Sequence, residues 1–209
     1  QFGDSCEKLI VPLLEELDKQ DAADLGLEKL RPWDTAVDPK HRPPLRPFEQ
    51  EDIAGFVEKT RKMFHRMSPY FGKQFATMKL GETLDLDSRK GKRPGGYQCS
   101  LEKSKKPFIF MNAAGMQGDV ETLLHEGGHA FHHLEACATI DNTFVRHAPL
   151  EFCEVASMSM ELLTADHYDE FYSPDDAARA KRKAIERAIR VLPWVATIDG
   201  FQHWIYTHP

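Results

Sequence analysis

Ile53, Phe56, Val57, Thr60, Met63, Phe64 and Met67 recur at intervals of three and four. That spacing places them on one buried face of an amphipathic helix. A second helix over 69–80 continues the same layer. Upstream, Cys6 to Leu17 reads as a short helix, interrupted or restarted at Pro12. Residues 31–47 hold five prolines in seventeen positions, which excludes an ordinary helix and predicts an ordered connector carrying Trp33.

Midway the pattern changes. GKRPGG (91–96) is a turn signal, and YQCSL (97–101) and KPFIFMN (106–112) read as two antiparallel strands around a charged turn. The glycine-containing turn NAAGMQGD (112–119) then leads into a helix with Asp119 as its N-cap, running to about Ala138. The polar loop TIDNTFVRHAP (139–149) precedes another helix, Glu151 to about Ala165. A charged helix starting at Asp175 or Asp176 reaches Leu192, and Pro193 kinks or ends it. A last helical segment carries Trp194, Ile198, Phe201, Trp204 and Ile205. The expected fold is mainly α with a small antiparallel sheet. It divides into a helical and proline-rich leading part (1–90), the sheet region (91–117), a pair of site-bearing helices (118–165) and a helical continuation (166–209).

Composition narrows the function classes. A chain of 209 residues, 41% of them hydrophobic, can bury a sizeable core. A net charge of -6 argues against a nucleic-acid partner. The basic clusters RKGKR (89–93) and RAKRK (179–183) lack interleaved aromatics and read as a turn and a solvated helix face. No apolar run is long enough for a membrane span, and no basic-then-apolar leader opens the chain. Cys6, Cys99, Cys137 and Cys153 follow no disulfide spacing, and Cys137 and Cys153 read as small buried residues, so the expected setting is a reducing cytoplasm. The chain opens almost at once on a helix and closes on HWIYTHP without a polar tail, as a piece of a larger protein would.

The candidate chemistry lies in TLLHEGGHAFHH (122–133). Histidines four residues apart share one helical face, so His125 and His129 can reach a single metal ion. Glu126 lies roughly 100° around the helix from His125 and roughly 60° from His129. Its carboxylate falls beside the metal, where it can hold a water and take its proton. Gly127 and Gly128 each cost on the order of 1 kcal/mol in a helix interior, so a close neighbour, a helix or a substrate, is expected between the ligands. AFHHLEA continues the helix beyond them, so they do not mark its end.

An open zinc site needs a third protein ligand. His132 and His133 rotate away from the face of His125 and His129 and read as a packed or hydrogen-bonded pair. Position 135 is Glu, which rules out a third histidine ten positions after the first. Glu154 fits better: it lies on a helix whose Ala156, Ser157 and Ser159 permit close packing, and burying it unpaired would be costly. Glu151 reads as a helix-start carboxylate. Glu161, two turns after Glu154, is either an acceptor for a ligand histidine's N–H or an exposed side chain.

HEGGHAFH (125–132) together with PLEFCEVASMSMEL (149–162) resembles the oligopeptidase family that includes thimet oligopeptidase, and specifically its oligoendopeptidase F branch. The resemblance extends to LRPWD (30–34), PFIFMNAAG (107–115) and ATIDGFQHWIYTHP (196–209). It implies a zincin-like catalytic core with one Zn²⁺ held by His125, His129 and Glu154, and Glu126 as general base. It implies metalloendopeptidase activity on short peptides. Family members are much longer, so it also implies further N- and C-terminal parts of the same polypeptide. His203, Tyr206 and His208 precede the family's substrate-positioning segment and are not assigned to it. The strand 107–112 is expected to offer the edge to which a substrate backbone adds. The alternatives are a structural or interaction domain with a non-catalytic metal site, which would need a fourth protein ligand, and a metallohydrolase of another substrate class.

Overall fold

The computed structural model describes residues 2–208. Its elements, in order, begin with a short helix α1 (Phe2–Ser5), a π-helical turn (Cys6–Ile10) and α2 (Val11–Asp24). Then come α3 (Ile53–Met67), α4 (Pro69–Leu80), β1 (Leu84–Asp87), β2 (Tyr97–Leu101), β3 (Lys106–Ala113), α5 (Gln117–Thr139), α6 (Leu150–Leu163) and α7 (Pro174–Thr207). The chain separates into two units: Leu45–Lys181, and Gln1–Pro44 with Arg182–Pro209.

The larger unit carries the candidate site. The apolar face expected on α3 is buried at Phe56, Val57, Met63 and Phe64. Phe64 packs edge-on against Phe131 of α5, with ring centroids 4.8 Å apart, and tilted against Phe75 of α4 at 5.2 Å. Asp52 caps α3 by accepting from the Gly55 amide, and Ser68 caps α4 by accepting from Tyr70. The second face of this core comes from Ile109, Met111 and Ala113, alternate residues of β3.

The expected antiparallel pair is present, with Gln98 opposite Ile109 and Ser100 opposite Pro107. A third strand, β1, pairs parallel to the other side of β3, making the sheet mixed with the order β1-β3-β2. β3 is therefore central and offers no free edge, contrary to the expectation that a peptide would add along 107–112. Gln98 and Ser100 of β2 lie on the outer edge instead. The amide of Ile109 is spent on the carbonyl of Thr83, on the β1 side. In an antiparallel ladder its partner Gln98 then turns its own amide and carbonyl outward, and so does Ser100 two residues on.

The start of α5 also differs from expectation. Met116, not Asp119, is the N-cap. Asp119 sits one turn in, and its carboxylate accepts from the amides of Ala114 and Met116 at 2.9 and 2.8 Å. The preceding turn needs Gly115, whose φ is +80° and whose missing Cβ would lie 2.7 Å from the carbonyl oxygen of Phe48. The basic cluster at 89–93 folds back on β1: Arg89 pairs with Asp85 at 2.6 Å, and Lys92, nearly buried, reaches Asp85 at 3.0 Å. The Arg89 hydrogen bonds, aided by Lys92, hold the Asp85 carboxyl well below the usual carboxylate range.

The second unit is purely helical among its described residues apart from the proline-rich connector. Pro12 lies in the first turn of α2, directly after the π-helical turn. Within this unit Arg190 of α7 pairs with Asp18 at 2.8 Å. Pro193 neither ends nor replaces the helix, which continues to Thr207. A proline there removes one backbone hydrogen bond, and helical sequence on both sides carries the chain through. Few side chains of this unit are buried: Trp33, Trp194, Phe201 and Trp204 all remain exposed. No helix among the described residues is long and apolar enough to cross a membrane.

Candidate metal centre

α5 and α6 come together where each lacks bulk. A Cβ on Gly128 would meet the Cα of Ser157 at 2.6 Å and the carbonyl oxygen of Ala156 at 2.7 Å. Ser157 is fully buried. A Cβ on Gly127 would meet the tip of the Phe64 ring at 2.7 Å. The two glycines thus serve different neighbours, one the α6 backbone and the other the core aromatic cluster.

This approach brings His125, His129 and Glu154 together, with one ligand-capable atom of each within 4.8 Å of the others. The Glu154 carboxylate lies between the imidazoles, 3.3 Å from His125 Nε2 and 3.7 Å from His129 Nε2. Ligand atoms about 2.1 Å from a tetrahedral ion stand about 3.4 Å apart, and the two His–Glu separations, each to a different Glu154 oxygen, lie close to that spacing. The other ring nitrogen of His125, Nδ1, lies 2.7 Å from Glu161 Oε1. Of the two readings of Glu161, acceptor or exposed side chain, the acceptor holds. A carboxylate there fixes the ring and keeps Nε2 as the free lone pair. Ser157 Oγ donates to Glu154 Oε2 at 2.8 Å, orienting that carboxylate in turn.

The electrostatics follow from burial. Burial alone would lower the His125 imidazole, but the hydrogen bond and charge of Glu161, with Glu126 and Glu154, outweigh it and raise its pKa. His129 lacks such a partner, and burial pulls it down. Glu126 is almost fully buried. Burial raises its pKa, against the opposing pull of His125 and of the Gln98 amide on the outer edge of β2.

The remaining histidines of the motif go elsewhere. His133 is buried with its Nε2 3.4 Å from Cys137 Sγ. His132 lines a cavity beside the site. Glu151 is exposed at the start of α6. Two contributors escaped the sequence reading. The Ser157 hydroxyl was legible only as a small side chain, and no sequence signal marks the Gln98 amide.

No curated protein matches the chain. Among solved structures, PZ peptidase A with an inhibitor is 35% identical with a TM-score of 0.87, over 98% of this chain and 35% of that one. A protein described as an oligoendopeptidase F from Bacillus anthracis str. Ames is 32% identical with a TM-score of 0.89, over 100% of this chain and 37% of that one. A second oligoendopeptidase F structure is 33% identical with a TM-score of 0.86, over 98% and 35%. The chain thus spans little more than a third of the length of the structures it matches. The model of peptidase family M3 matches residues 2–209. The chain belongs to peptidase family M3.

Proposed function

We propose that the chain carries the catalytic centre of a zinc metalloendopeptidase that hydrolyses internal bonds of short peptides. The observation that carries this reading is the convergence of His125, His129 and Glu154, with a ligand atom of each within 4.8 Å of the others, beside the buried Glu126 on the helix of the two histidines. His125, His129 and Glu154 would hold the zinc, one ion per chain. When bound, zinc supplies Lewis-acid polarisation of the peptide carbonyl and acidifies water.

The chain's own residues account for the rest. Glu161 holds the His125 ring through Nδ1, and Ser157 holds the Glu154 carboxylate. Glu126, its pKa raised towards the working range, takes a proton from the attacking water and returns it to the leaving amine. The outward carbonyl of Gln98 and the outward amide and carbonyl of Ser100 offer a substrate backbone its hydrogen bonds, since β2 is the edge next to Glu126, whose carboxylate takes the Gln98 amide. The four cysteines are all free, which suits the cytoplasm.

A structural zinc site would be closed by a fourth protein ligand, and among the described residues only these three group within ligand distance. The test pairs zinc content with cleavage of internally quenched peptides by the chain and by the longer polypeptide that carries it. Glu126→Gln should keep one zinc per chain and lose roughly 100- to 10,000-fold in rate. A variant as active as the parent removes Glu126 from the mechanism. A parent that takes up no zinc removes the metallopeptidase reading.

A further inference from the structure

Between Cys137 of α5 and Ser157 of α6 one residue is buried, and it is an arginine. Arg146 is 6% exposed in a connector whose tip, Phe144 and Val145, stands in solvent. A loop that needed only an anchor could use an apolar side chain there. Arg146 instead uses all three guanidinium nitrogens. Nε donates to the carbonyl of Ile140 at 2.8 Å, Nη2 to that of Asp141 at 2.9 Å and Nη1 to Glu102 Oε2 at 3.1 Å. Ile140 is the C-cap of α5, where carbonyls have no partner within the helix. Glu102 directly follows β2. The planar fork thus ties the end of α5 and the end of β2 to the segment that leads into α6.

These are the three elements that build the centre. α5 carries His125, Glu126 and His129, β2 is the edge beside Glu126, and α6 carries Glu154. α6 starts from Pro149 with no side chain capping it, and Glu154 lies in its second turn. No residue between Arg146 and Ser157 is buried. The close approach at Gly128 sets how near α6 lies to α5, and the anchored connector sets where α6 begins. We propose that Arg146 is a positioning residue of the metal centre. By holding the start of α6 against α5 and β2, it keeps Glu154 within ligand distance of His125 and His129. The proposal rests on the metal-site reading and not on peptide hydrolysis.

Loss of the guanidinium releases three acceptors at once. Two carbonyls at the end of α5 then need water, and Glu102 keeps only the largely exposed His147, 3.5 Å away, as an ion-pair partner. One Glu102 oxygen, Oε1, is sealed from water, and a carboxylate stripped of its cation there is costly. The turn after β2 and the connector must move apart to hydrate these groups. A fraction of an ångström at Glu154 is enough to weaken a metal site. A lysine keeps the charge but not the fork that meets three acceptors in fixed directions.

The test is metal binding, which needs no turnover. Zinc affinity of the metal-free protein is measured by competition with a chelator, and Co²⁺ in its place reports ligand geometry through its visible absorption. Arg146→Ala should bind zinc roughly 10- to 100-fold more weakly, the range for removing a group that orients a ligand. Its Co²⁺ form should absorb more weakly than the parent's, as water replaces the Glu154 carboxylate. Added ethylguanidinium, which refills the gap, should restore both. Arg146→Lys replaces the alanine variant if that one does not fold, and should weaken zinc binding by roughly tenfold. Parent zinc affinity in the folded variant, a parent-like Co²⁺ spectrum, or a defect that ethylguanidinium leaves in Arg146→Ala overturns the proposal. Arg146 is then an anchor of the fold alone, even where urea unfolding shows lost stability. A parent that binds neither ion overturns the metal-site reading and this proposal with it. A zinc defect of the expected size in a protein that hydrolyses no peptide leaves the proposal standing and counts against the peptidase reading alone.

Discussion

α5 and α6 supply the same metal centre from opposite situations. α5 is clamped in the core: Val120, Leu123, Leu124, Ala130 and Phe131 are all buried. α6 buries only Ser157 among its described residues, and Leu150, Phe152, Val155, Leu162 and Leu163 stay exposed. The histidines are therefore held by a hydrophobic core, whereas Glu154 and Glu161 are held by the seam of α6 on α5, closest where Ser157 meets Gly128, and by the bond of Glu161 to His125. A metal site needs its ligands fixed within a fraction of an ångström, and here the absence of bulk at Gly128 and Ser157 lets α6 come close enough to α5 to do so.

The comparison is broken most completely at the seam. In Gly128→Val the new side chain meets backbone atoms of α6, which cannot swing aside as a side chain can. We expect a loss of roughly 1–3 kcal/mol in urea unfolding, together with loss of zinc uptake in a metal titration. Wild-type zinc affinity in that variant would show that α6 is held by something other than the seam. Glu154→Ala separates ligand from seam. It should abolish zinc uptake yet change the stability of the metal-free chain by no more than about 0.5 kcal/mol, because this half-exposed carboxylate accepts one hydrogen bond, from the Ser157 hydroxyl, and its attraction to His125 and His129 is screened by solvent. Glu161→Gln is milder. It keeps the side chain's shape but removes the charge behind His125, and competition titration should show zinc bound roughly 10- to 100-fold more weakly.

How far the sequence carries follows the same division. The α3 face, the β2–β3 hairpin, the span of α5 and the shared helical face of His125 and His129 were legible, because periodicity is a local property. β1 was missed although Leu84 and Leu86 alternate, since four residues among charges give too short a period. That omission also misassigned the free edge: strand order depends on which pairings form, and no local pattern in β3 tells a central strand from an edge. Asp119 was misread by one turn because an aspartate that caps from inside the helix looks the same as one that starts it. Of the two readings of Pro193, a kink or an end, the end does not hold, since the cost of one hydrogen bond is outweighed where both flanks favour helix.

Gly127→Ala sharpens the comparison from the other side. The two glycines are adjacent and look interchangeable in sequence, but the Cβ at 127 meets the end of the Phe64 ring rather than backbone. Alanine gains about 1 kcal/mol of helix propensity over glycine. Against this, the ring must tilt within a cluster already packed on Phe75 and Phe131, and overpacking of that kind costs roughly 1–3 kcal/mol. The gain offsets only part of the cost, so urea unfolding should show a net loss of about 1 kcal/mol. Zinc affinity should not change, because the displaced ring belongs to the core and not to α6. A zinc defect in Gly127→Ala as deep as that of Gly128→Val would mean that the core, and not the seam, sets the position of Glu154.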